Sequence, residues 1–210
     1  MKVGIFGGTF NPPHLGHLRL AEEVLCAHEL DRVIFVPCYI PPHKDTGYVA
    51  AAEDRLEMTL RACAGNDHFD VSDLEILNRG TSYTVDTLVR LSENSADELY
   101  FIMGTDSLRE IGTWKDYETL FILANFIVVT RPGTDFGAAW ANLPAEVRAG
   151  FRDLGDRRIH AGSKVLVQSR VQGLDISSTR IRSFLKRRHS IRYLVTDSVR
   201  LYISENRLYE

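Results

Sequence analysis

Short apolar runs alternate with amphipathic stretches along most of the chain. Residues 2–6, 32–37, 69–74, 99–103, 126–130 and 164–168 are brief, nearly continuous hydrophobic segments that predict buried strands. Between them, residues 15–28, 51–64, 85–92, 107–111 and 117–123 carry apolar positions at helical spacing. Strands apolar on both faces, each followed by a helix, predict an α/β fold with a doubly wound, mostly parallel sheet and helices on both faces. Ligands of such sheets bind outside the carboxyl ends of the strands. The end of the chain reads as helical, over 177–188 and then 198–205 behind Thr196 or Asp197 as a cap. Residues 132–162 break the rhythm with Gly133, Gly137, Pro144, Gly150, Gly155 and Gly162. They predict a surface insertion or partner-facing segment with one helix near 145–154.

A length of 210 residues fits one domain over 1–210, with 183–210 as at most a small helical subdomain. The composition, 44% hydrophobic and 25% charged, is that of an ordinary globular chain. A formal net charge of −3 argues against nucleic acid and anionic membranes as partners. No apolar run approaches a membrane span, and the first strand follows Lys2 too closely for a signal peptide. Cys26, Cys38 and Cys63 are odd in number, lack CxxC spacing and lie in apolar contexts. They read as buried thiols of a cytoplasmic protein, with no zinc and no protein-held metal site. A homo-oligomer and a monomer both stay open.

The chemistry concentrates after the strands. Gly7-Gly8-Thr9-Phe10-Asn11-Pro12-Pro13-His14-Leu15-Gly16-His17 links the first strand to the first helix. Glycines permit a tight turn and close backbone approach, and a helix N-terminus is an anion site. His14 and His17, three apart, add donors on one face of its first turn. Near the other end, Asp175-Ile176-Ser177-Ser178-Thr179-Arg180-Ile181-Arg182 opens a helix with hydroxyls and arginines suited to a polyphosphate. Pro41 and Pro42 stiffen a loop that aims Lys44, a point charge, after the second strand. Thr84, at a helix start, and Gly104 with Asp106, after the fourth strand, are candidates for reading a second ligand. Trp114, beside Lys115, offers a flat face for an aromatic ring. The basic cluster Lys186-Arg187-Arg188 reads as the solvated end of a helix.

The loop Gly7–His17 resembles the (T/S)-x-x-H-x-G-H motif of the nucleotidyltransferase superfamily. Its longer form is similar to that of bacterial nicotinate-nucleotide adenylyltransferases. Ser177 to Arg182 resembles the superfamily's I-S-S-T-x-I-R element, and Gly104 to Leu108 its G-x-D-S-L. The resemblance covers residues 3–132 and 164–203 and is weak over 133–162. It implies a Rossmann-like domain that transfers the adenylyl group of ATP to nicotinate mononucleotide, releasing pyrophosphate. His14, His17, Lys44 and Arg182 would then be catalytic, stabilising charge on the phosphates. Gly7, Gly8, Thr9, Phe10, Gly16, Ser177, Ser178 and Thr179 would hold ATP. Thr84, Gly104, Asp106, Trp114 and Lys115 would hold the acceptor, Thr84 and helix-end amides reading the nicotinate carboxylate. Mg²⁺ would arrive with the triphosphate. Nicotinamide mononucleotide or pantetheine phosphate as acceptor, and a non-catalytic nucleotide sensor, are the alternatives.

Overall fold

The computed structural model describes residues 1–41, 49–131, 133–155 and 157–210. In chain order the strands are β1 (Lys2–Gly8), β2 (Arg32–Pro37), β3 (Phe69–Val71), β4 (Glu98–Gly104), β5 (Asn125–Thr130), β6 (Phe151–Asp153), β7 (Arg157–His160) and β8 (Val165–Arg170). The helices are α1 (Leu15–Ala27), α2 (Ala52–Cys63), α3 (Leu74–Leu77), α4 (Thr84–Asn94), α5 (Thr105–Glu110), α6 (Tyr117–Leu123), α7 (Phe136–Ala141), α8 (Ala145–Ala149), α9 (Ser178–Lys186) and α10 (Asp197–Glu205). The strand order is β3-β2-β1-β4-β5-β8-β7-β6, a mostly parallel sheet as the apolar runs predict. Two compact units interleave along the sequence.

The first unit comprises Met1–Phe6, Val24–Arg32 and Tyr83–Gln172. Its strands β1, β4, β5 and β8 are parallel, with Ile5 opposite Phe101, Phe101 opposite Phe126, and Phe126 opposite Leu166. All four of those side chains are buried, which explains why these strands read as continuous apolar runs. All of β5 is buried, and Asn125 at its start is satisfied by donating to Glu98 Oε1 and accepting from the Val165 amide.

Residues 133–162, expected as a surface insertion or partner-facing segment, carry two strands at the end of the sheet. β6 and β7 pair antiparallel, and β7 adds antiparallel to β8, so this segment extends the sheet. The helix expected near 145–154 stops at Ala149, and Phe151 begins a strand whose ring packs edge-on against Phe121 and Trp140. Gly155, at φ +91°, lies between the two strands in a conformation that favours glycine.

The second unit comprises Gly7–Glu23, Val33–Ser82 and Gly173–Glu210. Strands β2 and β3 pair in parallel, Phe35 opposite Val71. Met58 and Ala62 of α2, Ile181 of α9 and Val199 and Ile203 of α10 share one buried cluster. The expected strand over 69–74 ends at Val71, because Ser72 accepts the Leu74 amide and turns the chain into α3. Cys38 and Cys63 are buried as expected. Cys26 is exposed instead, since it falls on the outer side of α1 near its end.

Candidate active site

The loop after β1 is built on a residue other than the glycines that mark it in the sequence. Gly7 and Gly8 continue the extended strand; the turn is made by Phe10, a non-glycine residue at φ +46°. Gly8 is small for another reason. A Cβ there would lie 2.9 Å from Phe10 Cζ, so the buried Phe10 ring folds back over a strand with no side chain to meet it. Gly16 serves His14 in the same way, a Cβ there falling 3.0 Å from His14 Nδ1. The Asn11–Pro12 peptide is cis.

This packing sets the two histidines face to face, with ring centroids 3.6 Å apart and planes 18° from parallel. The His14 amide donates to His17 Nδ1 at 3.2 Å, and the His17 amide donates to His14 Nδ1 at 3.3 Å. The pair thus forms a reciprocal cap on the first turn of α1, with imidazole nitrogens in place of the usual hydroxyl and carboxylate. With both Nδ1 atoms accepting, the proton of each neutral ring is assigned to Nε2. Phe10 supports His17 edge-on, at a centroid distance of 5.2 Å.

The second sequence motif braces the first. Arg182 Nη1 donates to Asn11 O at 2.8 Å, and Ser178 Oγ donates to Pro12 O at 2.8 Å. Thr179 Oγ1 accepts from Arg182 Nη2 at 3.3 Å, and Ser177 Oγ caps α9 by accepting the Arg180 amide. Ser178 and Arg182 are therefore brought to the loop Gly7–His17, while Ser177 and Thr179 bond within their own segment. The hydroxyl of Ser178 is engaged with the loop itself. Lys44, the remaining expected cation, lies outside the described residues.

Tyr209, Ala50 and Arg55 hold this loop from outside it and were not expected from the sequence. Asn11 Oδ1 accepts from Tyr209 Oη at 2.7 Å and from the Ala50 amide at 3.1 Å. Arg55, 1% exposed, donates to Thr9 O. Arg55 was legible in principle: it stands with Ala52, Met58, Thr59 and Ala62 on the buried stripe of α2, an odd place for a charge. Tyr209, the penultimate residue, lies beyond the last helical period and gives no such signal.

The expected acceptor residues all lie in the first unit. Thr84 opens α4 behind Tyr83, and Lys115 Nζ reaches both oxygens of Asp86, at 2.9 and 3.0 Å. The same ammonium lies 4.9 Å over the centre of the Tyr83 ring, so Lys115 ties the start of α4 to the Trp114 segment. Its hydrogen bond to Asp86 holds its pKa above the ordinary value. Trp114 is half-buried and packs edge-on against Phe101 at 6.2 Å. Gly104 caps α5, and the Asp106 carboxylate is exposed, 3.7 Å from Arg109.

A mostly parallel sheet with a braced imidazole pair at the first helix start is the arrangement that the resemblance to the nucleotidyltransferase class leads one to expect. Residues 5–184 match the cytidylyltransferase-like family. A relative from Geobacter sp. (strain M21), named probable nicotinate-nucleotide adenylyltransferase, is 44% identical over 212 residues, spanning all of this chain and 98% of its own. Another of that name, from Desulfatibacillum aliphaticivorans, is 41% identical over 217 residues with both chains fully covered. In fold, the chain is similar to the Plasmodium falciparum nicotinic acid mononucleotide adenylyltransferase complexed with NaAD. There the TM-score is 0.74 at 19% identity, covering 99% of this chain and 97% of the other. The chain belongs to the nicotinate-nucleotide adenylyltransferases of the cytidylyltransferase-like family.

Proposed function

We propose that this chain joins ATP to nicotinate mononucleotide, forming deamido-NAD and pyrophosphate in NAD biosynthesis. The reciprocal His14–His17 pair, held by Arg182 and Ser178 through the Asn11–Pro12 backbone, carries the reading. An oxygen of the mononucleotide's 5′-phosphate attacks the α-phosphorus of ATP, and the bond from that phosphorus to the bridging oxygen of the β-phosphate breaks. The nucleophile is already anionic, so no general base is needed. What the reaction requires of the protein is alignment and stabilisation of charge on the non-bridging and departing oxygens.

Each part of the site has a task in that scheme. The Nε2–H groups of His14 and His17 donate to the α-phosphate and leaving oxygens, their direction set by the amides that occupy Nδ1. The start of α9 presents main-chain N–H groups to the outer phosphates, with Arg182 beside them and Lys44 adding charge. Donors of this kind fit phosphate oxygens rather than a cation. Mg²⁺ would therefore be carried by the triphosphate, neutralising charge on it. Thr84 and the first amides of α4 read the acceptor's carboxylate, and Trp114 stacks near its ring. The buried thiols Cys38 and Cys63 suit a reducing cytoplasm.

Pyrophosphate release with ATP and a panel of acceptors tests the reading. The expected result is a higher kcat/KM for nicotinate mononucleotide than for nicotinamide mononucleotide or pantetheine phosphate. His17→Ala should lose about 10²–10³ in kcat at saturating ATP, as expected for a preorganised donor to a developing oxyanion. Preference for another acceptor would overturn the substrate, and wild-type turnover by His17→Ala would overturn the role of the pair.

A further inference from the structure

Arg55 is a fully buried arginine with no carboxylate partner among the described residues, and its bonds all run to the backbone of other segments apart from a longer approach to Cys38 Sγ. Nε donates to Ala50 O at 3.1 Å; Nη1 donates to Cys38 O at 2.6 Å and Thr9 O at 2.9 Å; Nη2 donates to Tyr39 O at 2.9 Å. One rigid guanidinium thus joins the loop after β1, the segment after β2 and the residue two before α2.

Burying an unpaired charge costs several kcal/mol, and an apolar side chain would fill this space on α2 without that cost. The planar fork offers what an apolar residue cannot: donors at fixed angles to three separate segments at once. Thr9 precedes Phe10, which supports His17, so the Arg55–Thr9 bond enters the site one residue from the turn that seats the imidazole pair. Cys38, the other Nη1 acceptor, donates its amide to Gly8 O at 3.0 Å and so closes the same loop from the far side.

We propose that Arg55 is a positioning residue for adenylyl transfer, setting the triphosphate loop through Thr9 and tying it to the segment after β2 through Cys38 and Tyr39 and to Ala50. The proposal rests on the reading of that loop as the ATP site. Arg55→Lys tests it, because an ammonium keeps the charge but cannot reach all four carbonyls; Arg55→Met removes the bonds altogether. Kinetics, ATP binding by calorimetry without acceptor, and thermal melting should be measured beside the wild type.

The expected result for folded Arg55→Lys is a fall of about 10²-fold in kcat/KM for ATP, the scale of a misplacement of about 1 Å. The KM for the mononucleotide should move by less than about 3-fold, since its reading elements lie in the other unit. Arg55→Met should lose at least as much. Wild-type kcat/KM for ATP in Arg55→Lys, with only a lowered melting temperature, would make Arg55 a stability residue and overturn the proposal. Failure of both variants to fold would overturn it in the same way. If the wild type bound ATP but transferred nothing to any mononucleotide, the functional reading would fail instead, while weakened ATP binding by Arg55→Lys would still support the positioning role.

Discussion

A glycine beneath an aromatic ring is where one atom decides the site. Phe10 stands at φ +46°, its ring against the bare Cα of Gly8 on one side and edge-on to His17 on another. Gly8→Ala would place a methyl 2.9 Å from Phe10 Cζ, inside any real contact distance. The ring must shift, and His17 loses its support. The variant should be destabilised by about 1–3 kcal/mol, the usual cost of overpacking. Its kcat should fall while the KM for ATP changes little, because the backbone N–H groups of the loop and of α9 that we propose to bind phosphate are left in place. Urea unfolding and steady-state kinetics measure the two effects; an unaltered kcat would show that the Gly8–Phe10–His17 contact does not align the reaction.

Among the elements, α10 shows how a helix remote from the chemistry is kept in place. Thr196 Oγ1 accepts the Val199 amide as the N-cap, and Val199 and Ile203 enter the cluster shared with α2 and α9. Thr196→Ala should cost about 1 kcal/mol of stability by leaving a first-turn amide without its cap. Turnover at low temperature should be unchanged; a variant as stable as wild type in chemical denaturation would mean that water replaces the cap. This cap was legible in the sequence, as were β2 and α6, whose bounds follow the apolar pattern. The failures are equally physical. In 69–74, the Ser72-Asp73 pair turns the backbone despite apolar neighbours on both sides. Over 145–154, helical spacing carried the reading through Gly150, where the helix ends and a strand begins. The sequence singled out both segments, Gly7–His17 and Asp175–Arg182, by their donor chemistry, and they meet through Ser178 and Arg182. The bracing of the first segment by Arg55 and Tyr209 was not legible, because it depends on which loop oxygens the fold brings within reach.

For the molecule as a whole, acid should act through histidines that the fold keeps neutral. Burial lowers the pKa of His28 below its ordinary 6.5, helped by the charge of Lys2, and His28 Nε2 is buried with no hydrogen-bond partner among the described residues. Burial alone lowers His160 as well. Both lie in the first unit. Between their depressed folded values and 6.5, the unfolded chain binds protons that the folded chain resists, so stability rises with pH across that window. It should be at its plateau above about pH 7 and decline as the pH falls through about 6.5 toward 5. Asp97 acts in a different range. Hydrogen bonds from Ser95 and the N-terminal ammonium hold its pKa below 3.8, so its contribution is present above that value and lost only in stronger acid. Urea titrations at about pH 7.5, 6 and 5 on the wild type and on His28→Asn,His160→Asn separate these effects. The wild type should lose stability over that series, and the double variant, less stable or not at pH 7.5, should show a flatter profile. A wild-type profile that stays level from pH 7.5 to 5 would mean that neither imidazole is held neutral by its burial.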